Sequence, residues 1–252
     1  FFTPERSIEI QKKLGADMMV AFDECAPYPT TFEYARTAME RTHRWAQVSL
    51  AAAKSQGPQK QFLFGVIQGS RFKKLRQQSA QLISALPFDG WAIGGVAVGE
   101  PKKDMVQALD WVMPVLNKQK TQKPVHLLGV GEIDDIFAAA ERGVDLMDCV
   151  MPTRLGRMGW ILTPKGKDFK IDLNKNIFTE DSHPVGDDCQ CEVCRSFTRA
   201  YLHHLFRAQE LLAYHLATYH NLYFMERLFD KIRMSLKKNE WDRLKKEWLS
   251  KQ

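Results

Sequence analysis

With 252 residues the chain can bury a large core, and its 44% apolar, 11% aromatic and 26% charged residues are ordinary for a globular protein. No apolar run is long enough for a membrane span and no secretory leader precedes the first element, so a cytoplasmic protein with no membrane partner is expected. The net charge of +6, from 36 basic and 30 acidic residues, is a mild pointer to an anionic partner such as nucleic acid.

The first residue is Phe1, and the chain enters a helix almost at once, as a piece of something longer would. Thr3 is a suitable N-cap, Pro4 suits the first helical position and Glu5 favours the first turn, so a helix is expected through Ser7–Leu14, ending at Gly15. Met18–Phe22 is a short continuous apolar run, the pattern of a strand buried on both faces, and it ends in Asp23-Glu24-Cys25. A long helix is expected at about 31–55.

The cadence then repeats. Phe62–Ile67 runs into Gln68-Gly69-Ser70 and a helix at about 71–85. Gly90–Ile93 ends in Gly94-Gly95, with a helix at about 103–117. Val125–Leu128 ends in Gly129-Val130-Gly131, with a helix at about 132–141, and Val144–Met147 ends in Asp148-Cys149. Successive strand–helix units predict parallel strands with right-handed crossovers, and in such folds the carboxyl ends of the strands form the active face. Asp23, Gln68, Gly94, Gly95, Gly129 and Asp148 should therefore share one rim. A closed barrel of this type has eight strands and five are legible, so either the sheet is open or three units lie upstream of the first residue, and the start at Phe1 favours the second.

Beyond residue 153 the rhythm breaks. Trp160–Thr163 and Phe169–Asp172 read as a hairpin, followed by Cys189, Cys191 and Cys194, then an apolar helix at about 197–216 with His220 at its far end. Three of the five cysteines fall within six residues, and the histidine makes a fourth ligand, the donor set of a structural zinc site; scattered thiols or a disulfide are the alternative. A last helical stretch at about 222–249 is rich in Lys and Arg and reads as a solvated face. The expected division is 1–158 for the barrel segment, 159–221 for the hairpin and zinc subdomain, and 222–252 for the basic helical region.

Asp148 and Asp23 are carboxylates at buried strand ends, able to act as nucleophile, base or ligand-binding group; a capping or salt-bridged role is the bland reading. Gln68 offers a donor and an acceptor suited to a nucleobase edge. Gly94-Gly95 permits close backbone approach but lacks dinucleotide-site spacing, and Gly129-Val130-Gly131 is read as a tight connection. Arg154 and Arg157, with Gly156 and Gly159 beside them, read as a flexible basic loop suited to a polyanion.

The strings P-E-R-S-I (4–8), F-D-E-C-x-P-Y-P (22–29), F-G-V-I-Q-G (64–69), A-I-G-G-V-A-V-G-E (92–100), D-C-V-M-P-T-R (148–154), C-x-C-x-x-C (189–194), R-A-Y-L-H-H-L (199–205) and T-x-H-N (218–221) resemble tRNA-guanine transglycosylase of the bacterial type. The resemblance implies an α/β fold of the (β/α)8 TIM-barrel type with an inserted zinc subdomain, here without its N-terminal part. It implies exchange of the wobble guanine in GUN-anticodon tRNAs for a deazaguanine, either the pre-queuosine base or queuine. It makes Asp148 the nucleophile, Asp23, Gln68, Gly95 and Val96 the base pocket, and Arg154 and Arg157 tRNA contacts. Cys189, Cys191, Cys194 and His220 become the zinc ligands, and a homodimer with the Y-L-H-H-L region near its interface is implied. Departures are Ser70 and Val96, where the family usually has Gly and Leu, and Leu128, at a position often Met. A further family aspartate, proposed as general acid/base, lies upstream of the P-E-R-S-I helix, so the chain alone is expected to fold around zinc and be poorly active. The alternative is a non-catalytic tRNA-binding subunit of the same fold.

Overall fold

A computed structural model describes residues 1–55, 61–186 and 188–250. The chain divides into two compact units, Phe1–Cys149 and Val150–Gln252.

The first unit opens with α1 (Pro4–Leu14), where Thr3 Oγ1 accepts the Arg6 N–H at 3.3 Å and Gly15 closes the helix at φ +72°. Then come β1 (Met18–Val20), α2 (Phe32–Ser55), β2 (Phe62–Ile67), α3 (Lys73–Ala85), β3 (Gly90–Ile93), α4 (Lys102–Leu116), β4 (Val125–Leu127), α5 (Ile133–Ala140) and β5 (Leu146–Met147). The strands form one curled parallel sheet in the order β1-β2-β3-β4-β5. Strand order equal to chain order is what successive right-handed units build in a barrel wall, whereas a doubly wound sheet reverses its order midway. The expected α/β barrel-type fold is thus observed as a five-strand segment.

Alternation along the strands sorts the two faces. Leu63, Ile67, Trp91, Ile93, Val125 and Leu127 pack with Ala46, Ala80, Ile83, Leu109 and Val112 of the helices, all nearly fully buried. Burying each large apolar side chain contributes about 1.5–3 kcal/mol. The opposite face carries Phe64, Val66 and Ala92 with Val20, Leu128 and Leu146. Gly90 is required there, because a Cβ on it would collide with the Phe64 ring.

The first and last strands fall furthest short of their apolar runs. β1 stops at Val20 and β5 holds only Leu146–Met147. Each has one strand neighbour among the described residues, and Met18, expected to be buried, is 43% exposed. The Ala21 N–H still reaches the Phe64 carbonyl at 2.9 Å, so β1's ladder extends one residue further.

The second unit comprises α6 (Met151–Arg157), the antiparallel hairpin β6 (Trp160–Leu162) and β7 (Lys170–Asp172), α7 (Glu192–Ser196), α8 (Arg199–Arg207), α9 (Leu211–Lys237) and α10 (Trp241–Leu249). Its core joins Ile161, Leu173 and Val185 to Leu202, Leu216, Ala217 and the buried Cys191 and Cys194. Three expectations are corrected here. Arg154 and Arg157 lie on a short helix instead of a flexible loop, since Pro152 suits a helix start and Gly156 lets α6 press on the Thr218 backbone of α9. The single helix expected at 197–216 is two, broken at Gln209 with φ +57°. His220 consequently falls within α9, and the helix expected to begin at 222 is the continuation of α9, interrupted at Asn239 with φ +56° before α10.

Candidate active site and metal centre

Side chains at the carboxyl ends of β2, β3 and β5 keep the strand parity of the face opposite the helices. Gln68 follows Phe64 and Val66, Gly94 follows Ala92, and Asp148 follows Leu146. Gln68 is 3% exposed and its Nε2 donates to Asp23 Oδ2 at 2.7 Å. Its backbone N–H is held by Ser79 Oγ at 3.1 Å, and that hydroxyl meets His43 Nε2 at 2.9 Å. Burial lowers the His43 pKa to about 4, so the imidazole that meets Ser79 stays neutral. Burial raises the Asp23 pKa, while the bond from Gln68 opposes that rise.

Gly95 adopts φ +64°, and a Cβ there would lie 2.6 Å from Gln68 Oε1, so glycine is required both for conformation and for space. Val96 is buried and borders a small cleft with Tyr28, Ser70, Val98 and Glu100. Ser70 takes φ +50°, a region that favours glycine, which accounts for the residue usual at that position.

Asp148 is exposed, and its Oδ1 receives the Gly129 N–H at 3.0 Å and lies 3.0 Å from His126 Nε2. Its Oδ2 has no hydrogen-bond partner among the described residues of this unit. One oxygen is thereby fixed and the other presented to solvent, the posture of a carboxylate able to attack a carbon. Gly129 (φ +75°) serves as more than a tight connection, because its N–H holds this carboxylate. Strand geometry therefore brings Asp23, Gln68 and Gly95 into one contacting group and joins Gly129 and His126 to Asp148. Four participants escaped sequence reasoning: His126, His43, Arg76 and Glu100. His126 had a signal, a lone polar residue alternating inside V-H-L.

In the second unit, Arg154 and Arg157 are exposed at i and i+3 of α6, on one side of the helix. Cys189, Cys191, Cys194 and His220 converge, with His220 Nδ1 at 3.9, 3.5 and 3.2 Å from the three sulfurs in that order. A tetrahedron with metal–sulfur about 2.3 Å and metal–nitrogen about 2.0 Å has sulfur–nitrogen edges of about 3.5 Å, so the spacing fits. His220 Nε2 donates to the Leu162 carbonyl at 2.9 Å, leaving Nδ1 as the ligand atom. The Cys194 N–H points at Cys191 Sγ and the Gly186 N–H at Cys194 Sγ, bonds that favour thiolates. Thiol hydrogen bonds from Cys189 and Cys194 hold Cys191 far below its usual pKa. The cluster fits a Cys3His structural zinc site with four protein ligands. Beside it, Asn221 Oδ1 accepts the Leu162 N–H at 2.8 Å and its Nδ2 donates to the Pro152 and Trp160 carbonyls, clamping α6 and β6 to α9.

The family model for queuine tRNA-ribosyltransferase matches residues 1–252. Queuine tRNA-ribosyltransferase from Caldanaerobacter subterraneus subsp. tengcongensis is 43% identical over 251 residues, which is 100% of this chain and 65% of the relative. The protein of that name from Acetivibrio thermocellus is 44% identical over 251 residues, with the same coverage of 100% and 65%. A protein named putative queuine tRNA-ribosyltransferase from Archaeoglobus fulgidus is 43% identical over 253 residues, 98% of this chain and 61% of its own length. The chain thus spans 61–65% of the length of these curated relatives. It belongs to the queuine tRNA-ribosyltransferase family.

Proposed function

We propose that this chain carries the base-exchange machinery of a tRNA-guanine transglycosylase, a pentosyltransferase replacing the wobble guanine of GUN-anticodon tRNAs with a deazaguanine. Supporting this reading most directly is Asp148, a strand-end carboxylate with Oδ1 anchored by Gly129 and His126 and its other oxygen toward solvent. Oδ2 attacks the anomeric ribose carbon; the carbon–nitrogen bond to guanine breaks, its electron pair goes to the ring nitrogen, and guanine leaves after taking a proton from water. The ribosyl ester on Asp148 is then displaced by the ring nitrogen of the incoming base, which loses a proton. Two displacements at one carbon preserve its configuration.

Asp23 and Gln68 accept and donate hydrogen bonds to the base, with the Gly95 backbone and Val96 closing the pocket. The target base must be unstacked, and an anticodon loop supplies it single-stranded. Arg154 and Arg157 contact tRNA phosphates. Zinc, when bound, would be held by Cys189, Cys191, Cys194 and His220 and would tie the segment before α7, and α7 itself, to α9, with no open position left for chemistry. A homodimer through the α8 region is part of the reading; Tyr201 there is 37% exposed and stacks on Phe197 at 5.2 Å. No described helix is long and apolar enough to cross a membrane.

The test is denaturing electrophoresis of the chain mixed with GUN-anticodon tRNA. A detergent-stable protein–tRNA adduct is expected with the wild-type residue and none with Asp148→Asn; an adduct that persists in the variant would contradict the assignment.

A further inference from the structure

We propose that Arg76 is the positioning residue of the base pocket, the group that presents the Gly95–Val96 backbone to the carbonyl edge of a purine. The proposal rests on the base-pocket reading above and adds a residue to it. Arg76 projects from α3 and is 0% exposed. Its Nε donates to the Ser70 carbonyl at 2.7 Å, Nη1 to Ile67 at 3.2 Å and Gly94 at 2.6 Å, and Nη2 to Gly95 at 2.6 Å. All four acceptors are backbone carbonyls and none is a carboxylate. Burial pulls the guanidinium down to about 10, so it remains a cation at neutral pH.

A buried cation that hydrogen-bonds no carboxylate, with Glu100 and Cys25 acting on it only through space, is costly, and an apolar side chain of similar volume would serve core stability as well or better. What an apolar side chain lacks is the planar fork. One fork here ties the end of β2, the turn at Ser70 and the loop after β3 into a single geometry, which a lysine's point charge cannot do. Peptide planarity carries the consequence into the pocket: the N–H of each trans peptide points away from its carbonyl. With the Gly94 and Gly95 carbonyls bound to Arg76, the N–H groups of Gly95 and Val96 are turned to the other side. The Gly95 N–H points at the Cys25 sulfur, and a Cβ on Gly95 would lie 2.6 Å from the Gln68 amide oxygen. Hydrogen bonds to a cation also polarise those peptides and strengthen their N–H groups as donors.

Isothermal titration of the wild-type chain, Arg76→Lys and Arg76→Met with guanine tests this. The second ligand is 2,6-diaminopurine, which carries an amino group where guanine has its carbonyl. The wild type is expected to prefer guanine, and both variants to keep wild-type circular dichroism and metal content. Guanine affinity should fall about tenfold or more in Arg76→Met and about fivefold in Arg76→Lys, with the preference over diaminopurine shrinking in both. If Arg76→Met does not fold, Arg76→Lys decides. A folded Arg76→Lys binding guanine within about twofold of wild type, or weakened equally toward both purines, would overturn the positioning role. A wild-type chain that ignores guanine would contradict the base pocket itself and Arg76's role with it, a pattern distinct from failure at Arg76 alone.

Discussion

At the scale of single residues, burial decides what each polar group can do. His43 is the clearest case, since its imidazole is neutral in the fold and held at about 4. A histidine whose folded pKa lies below its unfolded value contributes nothing to the pH dependence while both states are neutral. As pH falls from about 6.5 toward 4 the unfolded state takes up the proton first, so stability drops across that window and levels off below it. The drop attributable to His43 is up to about 3 kcal/mol, and urea unfolding should show it flattened in His43→Asn. Asp148, Asp23 and Gln68 were legible as candidates in the sequence because each follows an apolar run directly. Arg76 was not, since a guanidinium at a core-facing helical position reads as solvated until the four carbonyls that receive it are in place.

At the scale of elements, the strand–helix cadence was readable because runs of four to six apolar residues end in Gly, Gln or Asp. Where sequence reading failed, the breaker was not glycine. Gln209 and Asn239 take left-handed conformations that end α8 and α9, and the arginine-bearing segment around Gly156 proved helical as far as Arg157. Gly156 has a packing role there: a Cβ would stand 2.8 Å from the Thr218 nitrogen. Gly156→Ala should therefore destabilise the second unit by about 1–3 kcal/mol in chemical denaturation, whereas an exposed helical glycine would gain from alanine. The cysteine–histidine cluster is the other anchor. One zinc per chain is expected by elemental analysis, and Cys194→Ser should lower that value and shift thermal unfolding downward with loss of helical signal. Full metal content with unchanged unfolding in that variant would contradict the structural role.

At the scale of the whole molecule, the five parallel strands in chain order place the candidate carboxylates on one end of a barrel-type sheet, and the zinc cluster organises a separate unit. The parallel strand–helix units and the ligand set followed from residue patterns, whereas the eight-stranded barrel type and the guanine-exchange reading came from the family resemblance, because strand-end carboxylates alone fit several chemistries. The measurement bearing most directly on that reading is incorporation of labelled guanine into GUN-anticodon tRNA, with Asp148→Ala beside the wild type. The account predicts slow incorporation by this chain, because the upstream aspartate is absent from it, and loss of that incorporation in the variant while tRNA binding persists. Measurable incorporation at equal rates in both proteins would contradict it.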